Sequence, residues 1–301
     1  MKALITGVAG FIGSNLAEAL LNQGHSVYGY DNFSTGLHAN IKNLDVRMVG
    51  DITDLKVDEI FHLGLPSSTG IYRDDPFKVA DATKVTLRVL ELARKNNAHV
   101  VYASSSSLYN GHEPPHHEGL PIKVTDYYTE ARYFVERLFE LYSKFFGVTS
   151  VGLRFFSVYG KRDAGKKQFA NTITQFALDM LRKKSPIIYG DGNQTRDFTY
   201  VDDVVRAIIL ASSHKTTDIF NIGTGQIHTA NQVIDTINKT LSTNIAATHI
   251  ENPLKNYVFH TRADITKAEQ VLGFKAQWKF EDAIEHHVAH LKEVIAGLPV
   301  E

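Results

Sequence analysis

The sequence predicts an α/β fold in which a doubly wound parallel sheet carries a second, smaller α/β domain. Three observations lead to this prediction. Short β-branched or aromatic runs alternate with amphipathic segments of helical length, a glycine-rich turn joins the first strand to the first helix, and this rhythm loosens after about residue 160. The chain of 301 residues is too long for one small core and fits one large or two closely packed domains.

The first half of the chain reads as repeated β-α-β units, which predict parallel strand pairing. We expect strands at 2–7, 26–31, 46–51, 59–64, 99–105 and 149–156, and helices at 12–23, 77–96 and 127–146. In such sheets the ligand crevice lies at the carboxyl ends of the strands. Residues 1–160, together with part of 196–220, are therefore predicted to form the larger domain.

The second half begins with a polar loop at 160–168, which is followed by a predicted helix at 169–183 and a strand at 186–190. The turn "DGNQ" and shorter α and β segments follow. We expect residues 161–301 to form the smaller domain, covering the mouth of the larger one.

Composition excludes several classes of function. The chain has 32 basic and 33 acidic residues, a net charge of −1, so it lacks the overall charge that attracts nucleic acid or an anionic membrane. It contains no cysteine, which excludes disulfides, thiolate metal sites and a cysteine nucleophile, and we predict no metal site. No apolar run is long enough to span a membrane, and "MKALIT" is too short for a signal peptide, so we expect a soluble cytoplasmic protein.

The turn "TGVAGFIGS" places Gly7, Gly10 and Gly13 between a strand and a helix. The first glycine permits a tight turn, the second a close approach of a pyrophosphate, and the third close packing of helix on strand. Phe11 and Ile12 begin the helix whose N-terminus then faces the phosphates. The G-x-x-G-x-x-G spacing alone also fits a purely structural turn.

Asp31 favours a dinucleotide site over a structural turn. It ends the second strand, 24 residues after Gly7, where its carboxylate can accept hydrogen bonds from both adenosine ribose hydroxyls. It would repel a 2′-phosphate, and no arginine follows in "DNFSTG", so NAD is predicted rather than NADP. Further cofactor contacts are predicted in the residues after Asp31, namely Asn32, Ser34, Thr35 and Gly36. Asp51 and Ile52, after the third strand, are predicted to border the adenine, although an aspartate at the end of a strand is also a common turn former.

Many short motifs in one order resemble the extended short-chain dehydrogenases that modify nucleotide sugars, above all the UDP-galactose/UDP-glucose 4-epimerases. These motifs are TGxxGFIG (6–13), DN (31–32), GDI (50–52), HLG (62–64), YASSSSLY (102–109), LRFFSVYG (153–160), YGDGNQTRDFTYVDDV (189–204) and FNIGTG (220–225). The resemblance covers nearly the whole chain. It implies a Rossmann domain, a bound NAD, a UDP-sugar substrate and further cofactor contacts from Leu63, Gly64, Leu65 and Phe155.

The resemblance also implies a catalytic set of Ser/Thr, Tyr and Lys. Ser105 matches the first of these. Glu136 fixes the register of the pattern Tyr-x-x-x-Lys-x-x-x-Glu, so Tyr128 takes the tyrosine position and Arg132 replaces the lysine. Without this context, a half-buried aromatic residue and a surface arginine would explain the same residues.

A phenol is a poor base at neutral pH, because its unperturbed pKa is near ~10. A cation one helical turn away, together with the positive nicotinamide, favours the phenolate. Arg132 can supply that charge and reach the nicotinamide ribose, but it cannot give up a proton. We therefore expect the electrostatic role of the lysine to be kept and its proton relay to be lost.

On the substrate side, the resemblance assigns Arg196 to the nucleotide diphosphate, Tyr189 to stacking on the base, and Asn171 to the substrate. Ser157 replaces a family asparagine in the same site. Two further departures are Ala82, which replaces an asparagine, and the absence of a second arginine around 253–258, where Lys255 is the nearest cation. These departures bear on which sugar is bound and on its contacts with the protein, and they do not affect the predicted fold.

Ser106 and Ser107 stand where the 4,6-dehydratases of the family carry an acidic pair, which argues against a dehydratase and against the similar decarboxylase branch. The first hypothesis is therefore a 4-epimerase acting through a 4-keto sugar. A nucleotide-sugar 4-ketoreductase or another epimerase is the second, and a non-catalytic NAD- or sugar-nucleotide-binding protein the third. The resemblance also implies a homodimer formed through the helices near 81–96 and 127–146.

Overall fold

The computed structural model describes residues 1–252 and 258–296. Its centre is a seven-stranded, fully parallel sheet. The strands of this sheet are β1 (Lys2–Thr6), β2 (Ser26–Tyr30), β3 (Val46–Met48), β4 (Glu59–His62), β5 (His99–Ser105), β6 (Ser150–Phe155) and β11 (Asp218–Ile222). Their order across the sheet is β11-β6-β5-β4-β1-β2-β3. The strand order reverses between β1 and β4, so the ligand crevice of this fold is expected where these two strands end.

The helices pack against the strands of this sheet or against one another. They are α1 (Phe11–Asn22), α2 (Thr69–Asp74), α3 (Lys78–Asn96), α4 (Tyr127–Phe146), α5 (Thr172–Leu181), α6 (Val201–Ser212), α7 (Ala230–Leu241) and α8 (Phe280–Ala296). Within the described ranges, no helix combines the length and the apolar character that crossing a lipid bilayer would require.

Within the described residues, three two-stranded ladders lie outside the main sheet. They pair β7 (Val158–Tyr159) with β10 (Thr199–Tyr200), β8 (Ile187–Tyr189) with β13 (Thr248–Ile250), and β9 (Thr195–Arg196) with β12 (His228–Thr229). Asp197 links this region together, because its buried carboxylate accepts backbone hydrogen bonds from Thr224, Gly225 and Ala263 at 2.8, 2.9 and 3.0 Å.

The predicted fold class is confirmed, and all six strands predicted in the first half belong to the one parallel sheet. Several boundaries differ from the prediction by one or two residues, and two differ by three. The third strand ends at Met48 rather than at residue 51, because it is the exposed edge strand and pairs on one side only. The helix expected at 169–183 begins at Thr172, because Asp163–Phe169 forms a 3₁₀ segment and Asn171 caps the helix by accepting a hydrogen bond from the Ile173 N–H at 3.0 Å.

Packing against the sheet holds α4 in a fixed position. Strands β4, β5 and β6 are buried along their whole length. On one face of the sheet, α4 packs beside α3, and Phe139 of α4 stacks on Tyr102 of β5 with ring centroids 3.9 Å apart. Both rings are at most 2% exposed, so each contributes roughly 2–3 kcal/mol of hydrophobic stabilisation. The start of α4 is thereby held close to the carboxyl ends of β4 and β5.

Candidate active site

The glycine turn packs directly against the end of β4. Gly7 has φ +72°, a left-handed conformation, and a Cβ there would lie 2.6 Å from the Cα of Gly64. A Cβ at Gly13 would overlap the carbonyl oxygen of Gly7. Since neither position can hold a side chain without moving backbone, both glycines are required by the geometry of this turn.

The N-terminus of α1 is open to an anion. Gly10 occupies the N-cap position, no side chain caps the helix, and its first turn contains no acidic residue. The N–H groups at the start of a helix and the helix dipole favour negative charge at this position. Together with the space that the glycines leave, this site fits the pyrophosphate of a dinucleotide.

One cleft of about 1080 Å³ joins the glycine turn to the start of α4. It brings together most of the residues that the sequence assigned to the site: Gly7, Gly10, Phe11, Ile12, Gly13, Asp31, Asn32, Ser34, Thr35, Gly36, Leu63, Gly64, Leu65, Ser105, Tyr128, Arg132, Phe155, Ser157 and Asn171. Asp51, Ile52, Tyr189 and Arg196 are not among the residues that line it.

Asp31 is fixed at the end of β2 by two backbone hydrogen bonds. Its Oδ2 accepts from the N–H of Ala9 at 2.9 Å, and its Oδ1 accepts from the N–H of Phe33 at 2.8 Å. Each carboxylate oxygen has two acceptor positions, so both can still bind a ribose hydroxyl. The carboxylate is therefore oriented in advance for the role that the sequence predicted.

Asp51 is connected to the cleft through an arginine that the sequence analysis did not assign. Arg88 of α3 lines the cleft, forms an ion pair with Asp51, and donates from Nη1 to the hydroxyl of Tyr30 at 3.1 Å. Ile52 is fully buried. The signal in the sequence was the helical spacing of the cleft-lining residues of α3, namely Lys78, Asp81, Ala82, Lys84, Val85 and Arg88.

Tyr128 lies in the first turn of α4, where a capping box fixes the chain. Asp126 accepts a hydrogen bond from the N–H of Thr129 at 2.8 Å, and Thr129 Oγ1 accepts from the N–H of Asp126 at 3.0 Å. Tyr128 is 7% exposed, and the ring of Tyr72 meets it edge-on with centroids 5.6 Å apart. The phenol is therefore held in one place on the cleft wall.

Arg132 is 3% exposed, and its guanidinium carbon lies 5.1 Å from the centroid of the Tyr128 ring. Its Nη1 donates to the carbonyl oxygen of Ala103 at 2.9 Å, and its Nη2 donates to that of Pro66 at 2.8 Å. Within the part of the chain that the structure describes, its buried Nε has no hydrogen-bond partner. The guanidinium thus joins the end of β5 to the segment after β4 and keeps a positive charge beside the phenol.

Burial and the charge of Arg132 shift the pKa values of two neighbouring residues, His62 and Tyr72. Burial, reinforced by the charge of Arg132, lowers the pKa of His62 to about 3, so this histidine is neutral near pH 7. His62 accordingly serves as a structural link, with Nδ1 2.8 Å from Thr6 Oγ1 and Nε2 3.0 Å from Thr86 Oγ1. Burial also raises the pKa of Tyr72 to about 12, although the charge of Arg132 opposes this shift.

Ser105 ends β5, and its Oγ accepts a hydrogen bond from the N–H of Ser107 at 3.1 Å, so its own proton stays available to a ligand. A buried polar network holds the strand behind it. Ser104 donates to Glu136 at 2.5 Å, and Glu136 accepts from Nε and Nη2 of Arg154 at 2.9 and 2.7 Å. This network joins β5, α4 and β6, and it fixes the strand of Ser105 relative to the helix of Tyr128.

The residues predicted for the substrate separate into two groups. Ser157 and Asn171 line the cleft, and Asn171 Nδ2 donates to the carbonyl oxygen of Val158 at 3.1 Å. Tyr189 is 37% exposed on β8, and the guanidinium of Arg196 donates to the carbonyl oxygens of Val258 and Phe259. These carbonyl contacts draw the Arg196 side chain toward the 258–259 segment and away from the cleft lining. Lys255 lies outside the described residues.

The cleft also contains polar residues that the sequence analysis left unassigned. One group is the hydroxyl side chains of Ser67, Ser68 and Thr69, and the other is Lys166, Lys167 and Gln168 in the segment before α5. The position of these lysines in the polar loop after "SVYG" was the available signal, because that motif ends at the mouth of the predicted crevice.

Comparison with known proteins gives results in agreement with this geometry. A family model described as the NAD dependent epimerase/dehydratase family matches residues 3–223. A protein named putative UDP-glucose 4-epimerase from Methanocaldococcus jannaschii is 34% identical, over 96% of this chain and 98% of its own length.

Two solved structures are similar over nearly the whole chain. UDP-glucose 4-epimerase of Thermotoga maritima, solved with UDP-glucose, has a TM-score of 0.92 and 28% identity, covering 98% of this chain and 100% of its own. UDP-glucuronic acid 4-epimerase of Bacillus cereus, solved with UDP-glucuronic acid and NAD, has a TM-score of 0.87 and 28% identity over the same shares of the two chains.

Proposed function

The chain is a member of the NAD-dependent epimerase/dehydratase family, and we propose that it interconverts UDP-glucose and UDP-galactose by inverting C4 of the sugar. Its cofactor is NAD, and its wider class is that of the NAD-dependent UDP-sugar 4-epimerases. The specific sugar and the role of each residue are the proposal.

The observation that carries the proposal is the position of Tyr128 and Ser105. Both line the cleft that begins at the glycine turn, and the cation of Arg132 lies beside the phenol. A hydroxyl donor, a phenol and a fixed positive charge are the groups that oxidation of a sugar alcohol requires of the protein. All three are at least nine-tenths buried, so water screens them little.

When bound, NAD supplies the acceptor and later the donor of the hydride that leaves and returns to C4. Tyr128 takes the proton of the sugar 4-hydroxyl, and Ser105 hydrogen-bonds to the same oxygen. As the 4-keto sugar forms, Tyr128 holds the proton at its phenol oxygen. After the sugar has turned over in the cleft, Tyr128 returns this proton to the carbonyl oxygen. Arg132 stabilises the phenolate form at both stages through its charge.

UDP-glucuronate is the second candidate substrate. Ser67, Ser68, Thr69, Ser106 and Ser107 all line the cleft, and their hydroxyl groups can donate to a sugar carboxylate. None of these five positions carries an acidic side chain that would repel such a group. A charged substrate would therefore meet hydrogen-bond donors around Ser105.

The test is incubation of the purified protein with UDP-glucose, UDP-galactose, their N-acetyl forms and UDP-glucuronate, with products separated by anion exchange and identified by NMR. We expect conversion of UDP-galactose to UDP-glucose without net accumulation of NADH. Tyr128→Phe should lose at least about 10²-fold in turnover, because it lacks the proton-transfer group. Tyr127→Phe is the matched control, since Tyr127 is 53% exposed and is not among the cleft-lining residues.

Other outcomes would identify a different function. Net consumption of NADH would indicate a ketoreductase, and conversion of UDP-glucuronate alone would move the assignment to the second candidate. Normal turnover in Tyr128→Phe would contradict the mechanism. Binding of NAD and UDP-sugar without any turnover would identify a non-catalytic binding protein.

We also propose a homodimer formed through α3 and α4. Outward-facing apolar side chains of α4 support this proposal, since Leu141, Phe145 and Phe146 are 43%, 66% and 50% exposed. Native mass measurement in solution tests it, and a monomer at micromolar concentration would contradict it.

A further inference from the structure

Lys166 is positioned at the anion-binding end of α1. It belongs to the segment Asp163–Phe169, lines the cleft, and has a side chain that is 20% exposed. Its ammonium nitrogen lies 5.7 Å from the ring centroid of Phe11, the first residue of α1. A positive charge therefore lies next to the helix terminus that the geometry of the glycine turn assigns to a pyrophosphate.

A buried carboxylate holds this segment in place. Asp163 is fully buried, and its Oδ2 accepts hydrogen bonds from the N–H of Asn171 at 2.8 Å and from Thr174 Oγ1 at 2.6 Å. Its Oδ1 lies 3.5 Å from the Lys166 ammonium and has no hydrogen bond within residues 1–252 and 258–296. Asp163 thus fixes both ends of the segment and attracts the ammonium electrostatically.

The backbone next to Lys166 is closely packed on the other side of the segment. A Cβ at Gly165 would lie 2.8 Å from Cδ1 of Leu37, and the N–H of Leu37 donates to the carbonyl oxygen of Ala9 in the glycine turn at 3.0 Å. The segment before α5, the loop after β2 and the glycine turn consequently form one packed wall of the cleft. Lys166 is part of that wall.

We propose that Lys166 binds the pyrophosphate of the cofactor and supplies the side-chain cation that the glycine turn lacks. An ammonium group has three hydrogen-bond donors, and Asp163 can accept from one of them, which leaves two for phosphate oxygens. The N–H groups at the start of α1 would contact the pyrophosphate from the helix axis, and Lys166 from the side of Phe11. The proposal rests on NAD as cofactor and is independent of which sugar is converted.

The experiment compares Lys166→Met with the wild type and with Lys184→Met, a control that removes the same side chain from an exposed position just after α5. The dinucleotide bound per chain is measured in the purified proteins after acid release. Its dissociation rate is measured by exchange of bound for labelled NAD, without any sugar nucleotide present.

We expect Lys166→Met to release NAD at least about tenfold faster than the wild type, which corresponds to about 1.4 kcal/mol at 25 °C. Raising the salt concentration should accelerate release less in this variant than in the wild type, because one ion–phosphate contact is missing. Lys166→Arg should stay within about threefold of the wild-type rate, and Lys184→Met should match the wild type.

Equal release rates in Lys166→Met and Lys184→Met would overturn the proposal. So would a variant that keeps NAD normally but binds UDP more weakly in calorimetry, since Lys166 would then serve the substrate. A loss of NAD that Lys166→Arg does not restore, accompanied by a lower melting temperature of both variants, would indicate a structural role and equally contradict it. Because no sugar is present during the release measurement, failure of the proposed epimerase activity would leave this result unaffected.

Discussion

Replacement of Arg132 by Met tests whether the charge beside Tyr128 supports catalysis. The guanidinium carbon lies 5.1 Å from the centroid of the Tyr128 ring, and with an effective dielectric constant of about 20 two unit charges about 5 Å apart interact by roughly 3 kcal/mol. About 1.4 kcal/mol corresponds to a factor of ten. We therefore expect the turnover of Arg132→Met at pH 7 to fall by about 10²-fold.

The same replacement has a predictable effect on stability. The guanidinium donates to the carbonyl oxygens of Ala103 and Pro66, and both hydrogen bonds would be lost. A buried polar group that loses its partner costs about 1–3 kcal/mol. The free energy of unfolding of Arg132→Met, measured by urea titration, should therefore be about 2–6 kcal/mol lower than that of the wild type. Arg132→Lys keeps the charge and one of these hydrogen bonds. We expect it to lose about half as much stability and to retain turnover within about tenfold of the wild type.

The decisive measurement is the turnover of UDP-galactose as a function of pH for the wild type, Arg132→Met and Arg132→Lys, each at a temperature where urea titration shows the protein folded. If the charge beside Tyr128 supports catalysis, Arg132→Met loses turnover and Arg132→Lys stays close to the wild type. A turnover of Arg132→Met within threefold of the wild type at pH 7, with the same pH profile, would refute the electrostatic argument.

Three further predictions follow from the geometry. Gly13→Ala should lose copurified dinucleotide, because its Cβ would overlap the carbonyl oxygen of Gly7, whereas Gly50→Ala should retain it, since a Cβ there meets no atom within 4 Å; equal NAD content would contradict this. Arg154→Met should destabilise the protein by about 3–5 kcal/mol in urea, because it leaves a buried carboxylate of α4 unpaired; a change below 1 kcal/mol would show that the network is not needed. The free energy of unfolding should fall by roughly 1–3 kcal/mol per pH unit below pH 6.5. Burial lowers the pKa of His62, His99 and His287 to about 3, 4 and 3, so the unfolded chain binds protons in this range that the folded chain does not. Burial raises the pKa of Glu59 to about 7, which offsets part of the effect because the folded chain binds this proton first. Urea midpoints that stay constant from pH 7.5 to 5 would rule this out.

The sequence was sufficient for the fold and for much of the site because local patterns determine both. The alternation of strands and helices predicts the parallel sheet, and in such a sheet the glycine turn, Asp31 and Ser105 must all lie at one edge. The spacing of Tyr128 and Arg132 by four residues places them on one face of α4, and the structure brings the guanidinium to the phenol ring as that spacing implies.

What the sequence could not supply depends on contacts between distant segments. Nothing near Arg132 in the chain identifies the carbonyl groups of Ala103 and Pro66 as its partners, since these are 29 and 66 residues away. The position of Arg196 depends in the same way on the carbonyl groups 62 and 63 residues further along the chain. The late start of α5 reflects both the Asn171 cap, which is a local signal, and the hydrogen bonds of Asp163 to Asn171 and Thr174, which the sequence does not identify.

The contacts of Arg132 give the residue that replaces the lysine a structural role in addition to its charge. A lysine carries its three donors on one nitrogen at the end of a flexible stem, whereas the planar fork of an arginine presents two separate nitrogens to two carbonyl oxygens. Here Nη1 and Nη2 each bind a carbonyl oxygen, from the end of β5 and from the segment after β4. The arginine therefore closes the gap between two strand ends and at the same time presents its charge to Tyr128. If both functions reside in one guanidinium, Arg132→Lys must separate them, retaining turnover while losing stability, and a variant that lost both or neither would show that they cannot be divided in this way.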